Sequence, residues 1–159
     1  MGQELQDRLV AQGATVATAE SLTGGHLAAE LTQLPGSSQT FLGGVVSYAT
    51  SVKKKVLGVP DAVVHEYGVV SGQCAAAMAE GARNLLGATY AVSTTGVAGP
   101  DDQEGKPPGT VFVAVAGPGG TKVEELALDG DREEIQEATC QAALSALGDM
   151  LPREEPTLG

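Results

Sequence analysis

Only two cysteines, Cys74 and Cys140, occur in the 159 residues, and neither sits in a CxxC or other metal-type spacing. That speaks against a disulfide framework and against a cysteine-based zinc site. Both fall in Ala-rich, helix-patterned segments, where a free thiol packs as a small hydrophobe. Histidine is as scarce, with His26 and His65 alone. A histidine metal centre is therefore unsupported, and no metal ligand is assigned. No GxSxG elbow is present, so a serine–histidine triad has no local signature, although triads assembled in space need none. Both imidazoles read as surface or cap residues. Basic residues are also few, 9 Lys+Arg against 20 Asp+Glu, for a net charge of −11. A nucleic-acid surface needs a cationic footprint that the single cluster Lys53-Lys54-Lys55 does not supply, so no direct nucleic-acid binding is expected. No apolar run approaches the roughly 20 residues that cross a bilayer. The stretch Met1–Leu9 lacks the basic and apolar regions of an export signal, which makes the cytoplasm the expected location.

What is present suffices for a folded domain. Hydrophobic residues make up 42% and mean hydropathy is +0.03, a globular composition. The spacing predicts a helix over 4–12, stopped by Gly13, and a strand of small and β-branched residues over 14–19. A helical period returns over 22–34, with Leu27, Leu31 and Leu34 on one side. Residues 41–48 read as a second strand with an internal glycine pair. A short helix over 51–57 and a further helical turn over 61–67 follow. Ser71 reads as the N-cap of a helix over 72–86, ended by Gly87. Strands are predicted over 88–94, 110–116 and 122–128, the last two joined as a hairpin by Gly117–Gly120. Asp131 and Glu134 form a capping-box-like start to a last helix reaching Leu151. The predicted order is α-β-α-β-α-α-β-β-β-α. It implies an α/β fold with a mixed, mostly parallel sheet, a late antiparallel hairpin and helices on both faces. Residues 1–152 read as one domain and 153–159 as a polar tail.

Three segments could carry chemistry. Ala19-Glu20-Ser21-Leu22-Thr23-Gly24-Gly25 lies where the first strand hands over to a helix, the position at which open α/β sheets bind ligands. A helix N-terminus there offers N–H groups to an anion or a developing oxyanion. Ser21 or Thr23 could equally be a simple helix cap. Tyr48-Ala49-Thr50-Ser51-Val52-Lys53 places a tyrosine at a strand end and a lysine one turn into a helix. A lysine in a dry pocket can lose its proton and act as a base, whereas an exposed one does not. Ser93–Pro100 lies at another strand end, where a Gly-rich turn can present consecutive N–H groups. It has neither the Lys-Ser/Thr ending of a P-loop nor a GxGxxG.

These segments come in a recognisable order. AESLTGG (19–25), LTQLPGSSQTFLGGVVSYATSVKKKVLGV (31–59), GVVSGQ (68–73), MAEGAR (78–83), TTGVAGP (94–100) and KPPGTVFVAVA (106–116) together resemble the CinA C-terminal domain family over roughly residues 3–150. Its stand-alone members are nicotinamide-nucleotide amidases of the PncC type. The resemblance implies a three-layer α/β/α sandwich, a homodimer, and hydrolysis of the carboxamide of nicotinamide mononucleotide to nicotinate mononucleotide and ammonia, with no cofactor. It implies Ser21 as nucleophile with Lys53 as base, acting directly or through Tyr48. Thr23, Gly24 and Gly25, or Thr95, Gly96, Ala98 and Gly99, would hold the oxyanion or the phosphate; which loop does which is open. The family segment GDRxxxR reads Gly130-Asp131-Arg132 followed by Gln136 here, so Arg132 remains as a phosphate ligand and the second arginine is lost. That loss leaves a second possibility, a non-catalytic nucleotide-sensing or partner-binding module of the same fold.

Overall fold

A computed structural model describes residues 2–152; the expected polar tail, 153–159, lies outside the described residues. Valine and alanine alternate along its strands and so sort to opposite faces of one sheet. The strands are β1 (Val16–Glu20), β2 (Phe41–Val46), β3 (Tyr90–Gly96), β4 (Thr110–Gly117) and β5 (Gly120–Ala127). They lie in the order β2-β1-β3-β4-β5. The pairs β1–β2 and β1–β3 are parallel, and β3–β4 and β4–β5 are antiparallel. The sheet is thus mixed, with a parallel centre and the expected late hairpin, turned at Pro118-Gly119.

Helices cover both faces. Val16, Val92, Val111, Val113 and Val115 point to one side, where they meet leucines of α1 (Gly2–Ala11) and α2 (His26–Thr32) and the apolar stripe of α6 (Arg132–Met150). Ala17, Ala19, Ala91, Ala114 and Ala116 point to the other, against Cys74, Ala75, Met78, Ala79 and Ala82 of α5 (Gly72–Leu86). Small side chains on both partners let α5 lie close to the sheet, and its N-terminus comes to the edge where β1 and β3 end. The short helices α3 (Thr50–Lys55) and α4 (Asp61–Tyr67) connect β2 to α5. Ser71 caps α5 through the Cys74 N–H, Gly87 ends it in the left-handed region, and the Asp131–Glu134 capping box of α6 is complete.

Three elements differ from expectation. The helical period from Leu22 does not become helix until His26, because Gly24 and Gly25 have φ of +55° and +105° and turn the chain tightly. Residues 61–67 are a full helix of seven residues, giving three helices between β2 and β3. The strand expected to reach Tyr48 stops at Val46, where the Ser47 N–H closes the ladder on the Glu20 carbonyl and the chain turns toward α3.

Candidate active site

The site is assembled where β1, β2 and β3 end. Leaving β1, Ser21 donates its N–H to the Thr94 carbonyl at 3.0 Å, which fixes the backbone of the turn to β3. Leaving β2, Ser47 donates both its N–H (2.7 Å) and its hydroxyl (3.1 Å) to the Glu20 carbonyl. The adjacent strand ends are thereby locked together, and α3 starts directly above them.

Three consecutive lysines meet three fates on α3, because successive helical residues point about 100° apart. Lys54 pairs with Asp61 at the surface at 3.1 Å, and Lys55 is exposed. Lys53 turns inward and is 1% exposed. Its Nζ lies 2.9 Å from Ser21 Oγ, 2.6 Å from the Ser47 carbonyl and 3.2 Å from the Tyr48 carbonyl. Burial lowers the Lys53 pKa from 10.5, opposed by the Cys74 thiol and the Glu104 carboxylate. A neutral amine has two N–H groups and one lone pair. The Lys53 amine faces three partners, the two carbonyls and Ser21 Oγ; with one proton lost, the carbonyls would keep its two N–H groups and a lone pair would face the Ser21 hydroxyl.

Ser21 and Lys53 line a cleft of about 270 Å³ together with Tyr48, Arg132 and the whole segment 95–103. Thr95, Gly96, Ala98 and Gly99 are therefore in the cleft wall. Among the described residues the N–H groups of Leu22, Ala98 and Gly99 donate to no protein acceptor. All three residues line the cleft with Ser21. Arg132, one residue into α6, donates to the Gly99 carbonyl at 2.7 Å and to the Tyr48 hydroxyl at 2.9 Å. It thus spans from the glycine loop to the tyrosine at the cleft mouth.

Two expectations are corrected by this geometry. A proton relay through the Tyr48 phenol has no support, because the ring is 61% exposed and its hydroxyl is turned to Arg132. Tyr48 reaches Lys53 through its main-chain carbonyl instead. Thr23, Gly24 and Gly25 stand outside the cleft, and their turn is already occupied. The carboxylate of Glu20, 1% exposed, accepts from Thr23 Oγ1 (2.7 Å), the Gly25 N–H (3.1 Å), the Leu27 N–H (2.9 Å) and the Ala28 N–H (3.1 Å). A resident anion therefore satisfies the N-terminus of α2 and leaves no room for a second. Of the two candidate loops, the one at Thr95–Gly99 is available.

Glu20, Ser47 and Thr94 carry no chemistry that sequence patterns flag, yet they build the site. Thr94 Oγ1 lies 2.8 Å from Thr23 Oγ1 and accepts weakly from the Ser21 N–H at 3.3 Å. Only their position inside the quoted motifs could have drawn attention to them. Gln136, standing where the family motif has arginine, donates to the Leu22 carbonyl at 2.8 Å and so braces the turn after Ser21. His26 is exposed and caps the Thr23 carbonyl, and no helix is long and apolar enough to cross a membrane among the described residues.

Comparison with known proteins agrees with this architecture. The family model of the CinA C-terminal domain matches residues 1–151. A CinA-like protein of Frankia casuarinae is 50% identical over 152 residues, 94% of this chain and 35% of its own length. A CinA-like protein of Geobacter is 43% identical over 162 residues, covering 99% of this chain and 39% of that protein. The chain thus spans little more than a third of the length of these relatives. A CinA superfamily protein of Klebsiella pneumoniae superposes with a TM-score of 0.91 at 33% identity, covering 94% of each chain. The competence/damage inducible protein CihA of Agrobacterium tumefaciens does so at 0.85 and 37% identity, covering 93% of this chain and 94% of its own.

Proposed function

Because the chain belongs to the CinA C-terminal domain family, and a serine hydroxyl faces a desolvated amine in its cleft, we propose that it hydrolyses the carboxamide of nicotinamide mononucleotide. The products are nicotinate mononucleotide and ammonia. The observation that carries this reading is the 2.9 Å contact between Lys53 Nζ and Ser21 Oγ, buried and flanked by two carbonyls that take the other amine protons.

In the proposed reaction the Ser21 oxygen attacks the carboxamide carbon while its proton passes to Lys53. The developing oxyanion is held by main-chain N–H groups, those of Leu22 and of Ala98 or Gly99, which are open in the cleft. The ammonium of Lys53 returns the proton to the departing nitrogen, so ammonia leaves and Ser21 holds an ester of the nicotinate carbonyl. Water then gives a proton to Lys53 and attacks that ester. The proton returns to Ser21 Oγ, the product leaves as the carboxylic acid, and its proton passes to water or to the released ammonia. One amine serves as base and acid twice, so a pKa below that of free lysine suits both roles. Arg132 is the phosphate ligand in this scheme, exchanging or sharing its contact with the Gly99 carbonyl. No cofactor enters, and the same proposal takes the protein to be a cytoplasmic homodimer.

The test is ammonia release from nicotinamide mononucleotide by the pure protein, with Ser21→Ala as the control and nicotinamide and nicotinamide riboside as comparison substrates. Release with the nucleotide that vanishes in the variant is the expected result. Tight nucleotide binding without turnover would favour the sensing module instead.

A further inference from the structure

The segment 101–103 has no part in the proton transfer, yet Asp101, Asp102 and Gln103 form part of the cleft wall. An acidic loop in the open would not hold a wall in place. The following residue does so. Glu104 has φ +54°, in the left-handed region that non-glycine residues seldom occupy. In that conformation its carboxylate accepts the N–H groups of Val69 at 3.0 Å and Val70 at 2.8 Å, in the link between α4 and α5. Gly68 leaves the space for it, since a Cβ there would fall 2.6 Å from a Glu104 carboxylate oxygen. The carbonyls of the same two residues are taken as well: Thr95 Oγ1 donates to that of Val69 at 2.7 Å, and Lys106 Nζ donates to that of Val70. Three side chains from one stretch of chain thus converge on two residues, one of which, Val69, also lines the cleft.

We propose that Glu104 is a positioning residue of the cleft, stapling the 101–103 wall to Val69 and Val70 and placing its charge beside Val69, which lines the same cleft as Lys53. The staple stands on geometry alone; the role of the charge rests on Lys53 as the base of the reaction proposed above. Two acidic groups act on the Lys53 amine against its burial, Cys74 and Glu104. Burial pushes the Cys74 thiol up to about 11, so it is uncharged at neutral pH and Glu104 is left as the anion of that pair. Lys106, whose amine donates to the Val70 carbonyl, is the cation on the same staple, and the remaining charged neighbours lie elsewhere. Glu20, at the end of β1, is consumed by the α2 amides, and Lys54 pairs with Asp61. Asp101, Asp102 and Arg132 lie around the cleft, Lys55 is exposed, and β2 carries no charge. A buried amine that is to accept a proton and then keep it until the leaving nitrogen arrives benefits from one nearby anion.

The experiment uses the full chain with ¹³C-labelled lysine. The Lys53 Cε resonance is followed across pH by NMR in the wild type, Glu104→Gln and Glu104→Asp, and hydrogen exchange is read at the Val69 and Val70 amides. In Glu104→Gln the Lys53 midpoint is expected to fall by roughly half a pH unit or more, since the stabilising charge is gone. Its two amides are expected to exchange about tenfold faster or more, since one acceptor oxygen remains of two. Glu104→Asp, one methylene shorter, is expected to speed exchange while holding the midpoint near wild type. A Glu104→Gln midpoint equal to wild type overturns the charge role, and unchanged exchange in both variants overturns the staple. Neither readout needs turnover. A protein that leaves nicotinamide mononucleotide intact would refute the amidase proposal, and the staple would still be tested.

Discussion

At the scale of single residues, the proposed reaction rests on two side chains thirty-two positions apart, and their loss should be unequal to the loss of their neighbours. Ser21→Ala removes the nucleophile and Lys53→Met the base. Each is expected to lower kcat by about a thousandfold or more, and the double variant little further, because the pair acts as a unit. Lys54→Met, whose amine pairs with Asp61 at the surface, should stay near wild type, which a steady-state ammonia assay distinguishes. Arg132→Ala removes a charge-assisted donor at the cleft mouth. It is expected to raise KM for the nucleotide by roughly tenfold or more while changing turnover of the phosphate-free riboside little. A similar KM change with both substrates would deny Arg132 a phosphate role. Ser21 and Lys53 are singled out by a family motif at a strand end, and the fold brings their side chains together. Glu20 and Glu104 are not: each acts by accepting main-chain N–H groups, Glu20 from the turn and helix just ahead of it and Glu104 from a segment brought close only by folding. Spacing alone does not choose among Lys53, Lys54 and Lys55; the family motif does, and the helix phase turns Lys53 alone inward.

At the scale of elements, short runs of small and β-branched residues announced the strands, and the hairpin and caps of α5 and α6 followed from turn chemistry. The start of α2 was misread because its cap comes from Glu20, six residues before the helix, where capping rules look only at adjacent residues. The close approach of α5 also leaves a trace that helix propensity contradicts. Gly81 lies inside α5, where alanine would ordinarily add about 1 kcal/mol. A Cβ at Gly81 would stand 1.9 Å from the Leu57 carbonyl oxygen. Gly81→Ala is therefore expected to destabilise by roughly 1–3 kcal/mol, since the contact must be relieved by moving backbone. Urea unfolding reads the sign, and a gain in stability would show that α5 and the α3–α4 link are not pressed together.

At the scale of the whole molecule, the burial that lowers the Lys53 pKa also weakens the fold. Lys53 has a folded-state pKa below its unfolded 10.5. Between those two values the unfolded chain binds more protons, so the group's contribution to stability rises with pH there and its cost is greatest below the folded value. Cys74 and Cys140, pushed up by burial to about 11 and about 12, run the other way and erode stability once pH passes their unfolded value. The difference in urea midpoint between wild type and Lys53→Met should therefore shift in favour of wild type as pH rises toward 10.5. A pH-independent difference would mean that the amine is charged throughout. The most direct measurement is the pH dependence of kcat/KM for ammonia release from nicotinamide mononucleotide. A single ascending limb with a midpoint clearly below 10.5, absent from Ser21→Ala, is the expected result. A flat profile, or release that survives loss of Ser21, would contradict a serine activated by an uncharged lysine.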